Sequence, residues 1–88
     1  MYIVAIPTYK RHGILQQKTL AMLLKGNVKP KDIFIFVADH EEANTYKSAL
    51  VKETYHKIVV GRPGITPQRQ FISEYFPKNK QIVSLDDD

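Results

Sequence analysis

The sequence predicts one α/β domain with a parallel sheet, in the order β-α-β-α-β-α-β. Three features predict it. Short apolar runs rich in β-branched residues alternate with longer stretches whose apolar residues recur at helical spacing. The short runs are apolar at consecutive positions, as in strands covered on both faces. The residues of most chemical interest follow those runs directly, and the carboxyl ends of parallel strands share one edge of their sheet.

Ile3-Val4-Ala5-Ile6, stopped by Pro7, is the first strand. A helix is expected from Ile14 to Lys25, with Ile14, Leu20, Ala21 and Leu24 on its inner face and Gly26 at the stopping position. After the turn Lys29-Pro30-Lys31, the run Ile33-Phe34-Ile35-Phe36-Val37 is the strongest strand signal. Asp39 and Glu42 have the spacing of an N-terminal capping pair, and Ala43, Tyr46 and Leu50 form the inner stripe of a second helix. Ile58-Val59-Val60 is a short third strand closed by Gly61-Arg62-Pro63-Gly64. Thr66 is expected to cap a third helix with Pro67 in its first position, Phe71, Ile72, Tyr75 and Phe76 facing inward and Pro77 at its end. Ile82-Val83-Ser84-Leu85 is the fourth strand and runs into Asp86-Asp87-Asp88. The result is a Rossmann-like layered sheet without repeats, low-complexity segments or linkers.

Composition narrows the function classes. At 88 residues with 43% hydrophobic side chains, the chain has enough apolar surface to fold, which argues against disorder. The absence of cysteine excludes disulfides, zinc-thiolate sites and thiol nucleophiles, and fits a reducing, cytoplasmic setting. No apolar run approaches the roughly 20 residues of a membrane-spanning helix, and the strand-like N-terminus does not read as a signal peptide. The net charge of +4 favours anionic partners, yet three of the nine acidic residues occupy the last three positions.

Those acids suggest half of a metal-phosphate site. In an extended segment Asp86 and Asp88 project together, and paired carboxylates of this kind suit Mg²⁺ or Mn²⁺ shared with a substrate phosphate. A solvated acidic terminus is the plain alternative. Pro7-Thr8-Tyr9-Lys10-Arg11 follows the first strand, where Thr8 and Arg11 suit a nucleotide's base edge or phosphate and Tyr9 suits stacking. A helix cap, a surface charge and ordinary packing are the alternatives for these three. Asp39 reads first as a helix cap and second as an acceptor for a base N–H. Arg69, near the start of the third helix, is placed to meet an anion, with Arg62 a weaker candidate. His12 lies near the first loop, within reach of a phosphate; His40 and His56 read as surface residues. No glycine-rich dinucleotide turn or P-loop lysine motif follows the first strand.

Ile6-Pro7-Thr8-Tyr9-Lys10-Arg11 resembles the "PTYNR" opening of GT-A-fold glycosyltransferases, and Ser84-Leu85-Asp86-Asp87-Asp88 resembles their DxD metal motif. Gly64-Ile65-Thr66-Pro67-Gln68-Arg69-Gln70 resembles the Gly…Ala-Arg-Asn stretch before DxD. The order of motifs also matches, and within the superfamily the chain looks most like the phage TET/J-associated type. The resemblance covers the N-terminal, nucleotide-sugar-binding half of that fold. It implies a nucleoside site formed by Pro7, Thr8, Tyr9 and Arg11, a base contact from Asp39, and a base or diphosphate contact from Arg69. It further implies Asp86 at the ribose or metal and Asp88 on a Mn²⁺ or Mg²⁺ ion. Gln70 replaces the usual Asn, and His40-Glu41-Glu42 replaces the usual Asp-Gly-Ser after the acid.

The resemblance implies metal-dependent transfer of a sugar, from a UDP-sugar above all, to an acceptor hydroxyl on a modified DNA base, glycan or protein. The acceptor half and the catalytic base are expected beyond residue 88. The chain is therefore expected to be a truncated donor domain, inactive alone, with a surface open to self-association and, for a viral protein, a location in the host cytoplasm. The alternative is a non-catalytic nucleotide- or nucleic-acid-binding module.

Overall fold

The computed structural model describes residues 2–85. Four strands form one all-parallel sheet: β1 (Ile3–Pro7), β2 (Ile33–Val37), β3 (Lys57–Val60) and β4 (Ile82–Ser84), in the spatial order β3-β2-β1-β4. The registers are unbroken, with Ile6 beside Ile35, Ile35 beside Ile58 and Val4 beside Val83. Helix α1 covers residues 12–25, α2 is His40–Ala49 and α3 is Ile65–Tyr75, so strands and helices alternate as expected.

Alternation of side chains along each strand divides the apolar residues between two cores. Val4, Ile6, Ile33, Ile35, Val37 and Ile58 pack against Leu15, Leu20 and Leu23 of α1 and Ala43 and Tyr46 of α2. Ala5, Phe36 and Val59 face the other way, onto Ile72 of α3 and Phe76 just after it. One helix suffices there because the filling is aromatic. Phe34 meets Phe76 edge-on at 5.0 Å, and Phe36 meets Tyr75 at 5.5 Å. Such contacts add about 0.5–1.5 kcal/mol each beyond area burial.

Two local expectations are corrected and a third, Gly26 at the stopping position of α1, holds. In α1, Leu15–Leu20 winds as a π-helix between α-helical ends His12–Ile14 and Ala21–Lys25. The wider turn advances the inner face, so Leu15, Thr19, Leu20 and Leu23 are buried while Ile14 and Ala21 are exposed. At its C-terminus, Gly26 follows the last helical residue, but Asn27 takes the left-handed conformation (φ 68°). Val28 N donates to Leu23 O at 2.9 Å and Asn27 N to Leu24 O at 3.1 Å, the paired bonds that satisfy a helix's last carbonyls. In α3, Thr66 is not the cap. Gly64 holds that place at φ 91°, a conformation suited to glycine, and Pro67 is the third helical residue, still within the turn whose N–H groups need no helical partner.

β4 departs from full coverage. Val83 is 40% exposed, because neither α1 nor α2 extends across the strand at that edge of the sheet. Tyr75, expected to face inward, is 38% exposed despite its ring contacts.

The turn after β3 is tied to the end of β2 by one buried side chain. Gln68 donates from Nε2 to Val37 O at 3.0 Å and accepts the Arg62 N–H on Oε1 at 3.0 Å. A Cβ added to Gly61 would stand 2.0 Å from that Oε1, whereas one added to Gly13 would meet nothing within 4 Å. Gly61→Ala is therefore expected to displace Gln68 and cost about 1–3 kcal/mol. Gly13→Ala, at an unstrained helical position, is expected to be neutral or to stabilise by up to about 1 kcal/mol. Urea unfolding of the two variants checks both signs.

Candidate functional site

The strand order reverses at β1, whose neighbours are β2 on one side and β4 on the other. The crevice beyond the carboxyl ends of such a pair is where open α/β sheets bind ligands. Pro7 and Thr8 leave β1 at that point. Leu85, just after β4, donates its N–H to Ala5 O at 3.0 Å. The Pro7–Arg11 segment and Leu85 therefore follow neighbouring strands at the same edge.

The β1-α1 corner is held by two residues of α2. Thr8 is buried, and its Oγ1 shares a hydrogen bond of 2.7 Å with the Tyr46 hydroxyl. The same hydroxyl oxygen accepts the Arg11 N–H at 2.9 Å. Tyr46 is fully buried, so its ring fills the core while its oxygen fixes the loop above it. His12, half-buried at the start of α1, meets the Tyr46 ring edge-on at 5.8 Å. Glu42, also buried, accepts the Lys10 N–H on Oε1 at 2.8 Å. Lys10 has a left-handed backbone (φ 52°), uncommon for a residue with a Cβ, and this bond helps to hold it there.

Asp39 acts as the helix cap its spacing suggests, with Oδ1 accepting the Glu42 N–H at 2.8 Å. Glu42 does not complete a reciprocal capping pair; its carboxylate turns to Lys10 instead. Thr8 caps no helix, since Arg11 occupies the cap position of α1, which has no side-chain capping bond. Tyr9 stands 55% exposed, with Lys10 Nζ 5.2 Å from its ring centroid, so an aromatic face and a cation project together from the corner. Arg11 and Asp39 are exposed, and Pro7 is half-buried at the strand end.

Arg69 lies apart from this corner, on α3 across the sheet. It lines an open groove of about 510 Å³ with Ile72, Ser73, Pro77, Lys78, Lys80, Ile82 and Ser84. That lining includes none of Pro7, Thr8, Tyr9, Arg11 or Asp39. The structure thus gathers the corner residues around α2 and sets Arg69 on the other face of the sheet, beside β4 and the turn that precedes it. Asp86 and Asp88, expected as metal ligands, lie outside the described residues. Among the described residues no group of three His, Asp or Glu side chains forms a metal-binding cluster, and no helix is long and apolar enough to cross a membrane.

Sequence reasoning missed three residues that build the site. Tyr46 was visible only as part of a core stripe, Glu42 only as a capping partner, and Gln68 lay within a polar run with nothing to mark its burial. Comparison of the chain with known protein families, curated proteins and solved structures gives no significant match.

Tyr46→Phe keeps the ring and removes the oxygen that accepts the Arg11 N–H. It is expected to cost about 1–2 kcal/mol and to speed hydrogen exchange at the Arg11 amide. Ser48→Ala, two residues along on the exposed side of α2, should stay within about 0.5 kcal/mol. Denaturant unfolding combined with amide exchange separates the two.

Proposed function

We propose that this chain binds the nucleoside diphosphate of a sugar donor at the carboxyl edge of its sheet, as the donor half of a metal-dependent GT-A-type glycosyltransferase. One observation carries the reading: the Pro7–Arg11 corner and Leu85, which Asp86-Asp87-Asp88 follow in the sequence, lie after adjacent strands at the point where strand order reverses.

In this reading each group has a separable task. Tyr9 supplies an exposed ring on which a base can stack. The Thr8 hydroxyl, oriented by Tyr46, meets the base edge or ribose. Arg11 stands at the N-terminus of α1, where its guanidinium and the helix's unbonded N–H groups favour phosphate. Asp39 caps α2 through Oδ1, and a base N–H is the contact assigned to its other oxygen. Arg69 approaches the donor from the β4 side.

Asp86 and Asp88 are the residues assigned to hold Mg²⁺ or Mn²⁺, and an all-carboxylate donor set suits those hard cations. When bound, the cation offsets charge that develops on the departing diphosphate. The transfer itself moves the anomeric carbon from the diphosphate oxygen to an acceptor hydroxyl, whose proton passes to a base outside this chain's assigned groups. The 88-residue chain alone is therefore expected to bind donor weakly and to turn over little.

Calorimetric titration with UDP in the presence and absence of Mn²⁺ tests the reading. Metal-dependent heat is expected, lost in Asp88→Ala and weakened about tenfold, near 1.4 kcal/mol, in Arg11→Ala. Absence of metal-dependent heat, or heat unchanged by Asp88→Ala, overturns it. Metal-independent binding of nucleic acid with a steep salt dependence favours the non-catalytic binding module instead.

A further inference from the structure

The edge of the sheet opposite the candidate site carries a row of cations. Two lysines stand where the chain enters each of three strands: Lys52 and Lys57 at β3, Lys29 and Lys31 at β2, and Lys78 and Lys80 at β4. All six are exposed. The strands are parallel, so these entries share the amino edge and follow the order β3-β2-β1-β4, about 14 Å from end to end at about 4.8 Å per strand. Tyr2 enters β1, inside the row.

This row holds the chain's charge surplus. The carboxylates in the same entry segments are Asp32 and Glu53, which leaves a surplus of four, equal to the net charge of +4 of the whole chain. The seven other basic residues are matched by seven other acids. Helix macrodipoles do not explain the row, because their effect fades within the last turn. They account for Lys25 and Lys47, in the last turns of α1 and α2, whereas the six lie outside the helices. Like charges at neighbouring strand entries repel, and a polyanion laid along the edge relieves that repulsion. Because the charge is spread over three entries and does not converge on one point, it suits a chain of phosphates better than a single one.

The rings at this edge select the polyanion. Tyr2 is 45% exposed and lines an open hollow of about 190 Å³ with Asn27, Lys29 and Asp32. An aromatic face beside an amide and a carboxylate suits the stacking and edge hydrogen bonds of an unpaired base. The same carboxylate would repel the headgroups of an anionic membrane. On the other face of the sheet His56 and Tyr75 flank Phe34, with ring centroids 5.1 and 6.4 Å from it. We propose that the amino edge binds single-stranded nucleic acid, with phosphates along the lysine row and a base stacked on Tyr2.

This surface lies opposite the donor groups and does not rest on the donor reading. Nucleic-acid binding favours the non-catalytic module only where UDP gives no metal-dependent heat; alongside that heat it marks a second surface of the same chain. The test is fluorescence anisotropy of a labelled single strand of about 12 nucleotides, within usual site sizes. It is titrated with the 88-residue chain over a salt series, and circular dichroism verifies the fold of each variant. Binding is expected without metal, with log Kd rising against log salt at a slope of about 4, from six phosphate contacts at about 0.7 each. Lys29→Gln/Lys31→Gln and Lys78→Gln/Lys80→Gln are each expected to lower that slope by about 1.4 and to raise Kd at least about tenfold. Lys18→Gln/Arg62→Gln removes as much charge away from the row and is expected to leave Kd within about twofold. Tyr2→Ala is expected to raise Kd about tenfold with the slope unchanged. No binding, an equal loss in the Lys18→Gln/Arg62→Gln variant, a folded Tyr2→Ala variant of native affinity, or a duplex that competes as well as the single strand overturns the proposal. Binding to phosphatidylserine vesicles without binding to the oligonucleotide also overturns it.

Discussion

Parallel strands cannot be joined by tight turns, so each must return across the sheet before the next begins. In this chain that constraint organises nearly everything else. Each return is helical, two helices lie on one face and one on the other, and every carboxyl end meets at a single edge. Burial on both faces then demands apolar residues at consecutive positions, with aliphatic side chains turned to α1 and α2 and aromatic ones to α3. The chemistry-bearing residues gather where they do because the strands share a direction.

The edge itself is built with fewer parts than its length suggests. Tyr46 serves two layers at once, since its ring belongs to the core and its oxygen to the loop above. Glu42 does the same from the first turn of α2, holding Lys10 while its own N–H is capped by Asp39. Gln68 is the counterpart on the other face, joining β2 to the glycine turn. Buried polar groups of this kind must be partnered to be tolerated, and among the described residues no buried side-chain polar atom lacks a hydrogen-bond partner.

Much of the fold could be read before any coordinates. Ile33–Val37 and the other apolar runs marked the strands, and the spacing of Ala43, Tyr46 and Leu50 marked the buried face of α2. The inner face of α1 was misread because a period of 3.6 was assumed where the helix widens. The open face of β4 was hidden because Val83 looks no different from a buried valine in a short run. Of the site, the position of Thr8 and the capping by Asp39 were legible from local sequence. The roles of Tyr46, Glu42 and Gln68 were not, because each depends on a partner more than four residues away or on the opposite end of a loop. Nor could sequence show that Arg69 and the Thr8–Arg11 corner lie on different faces of the sheet.

The widened stretch of α1 carries a structural freedom of its own. A π turn accommodates one residue more than an α turn, so it acts as slack between the helix's two ends. A residue added to or removed from the corner would be absorbed between Leu15 and Leu20. Leu23 and the sheet beneath it would keep their seating, leaving the outer loop to vary independently of the interior.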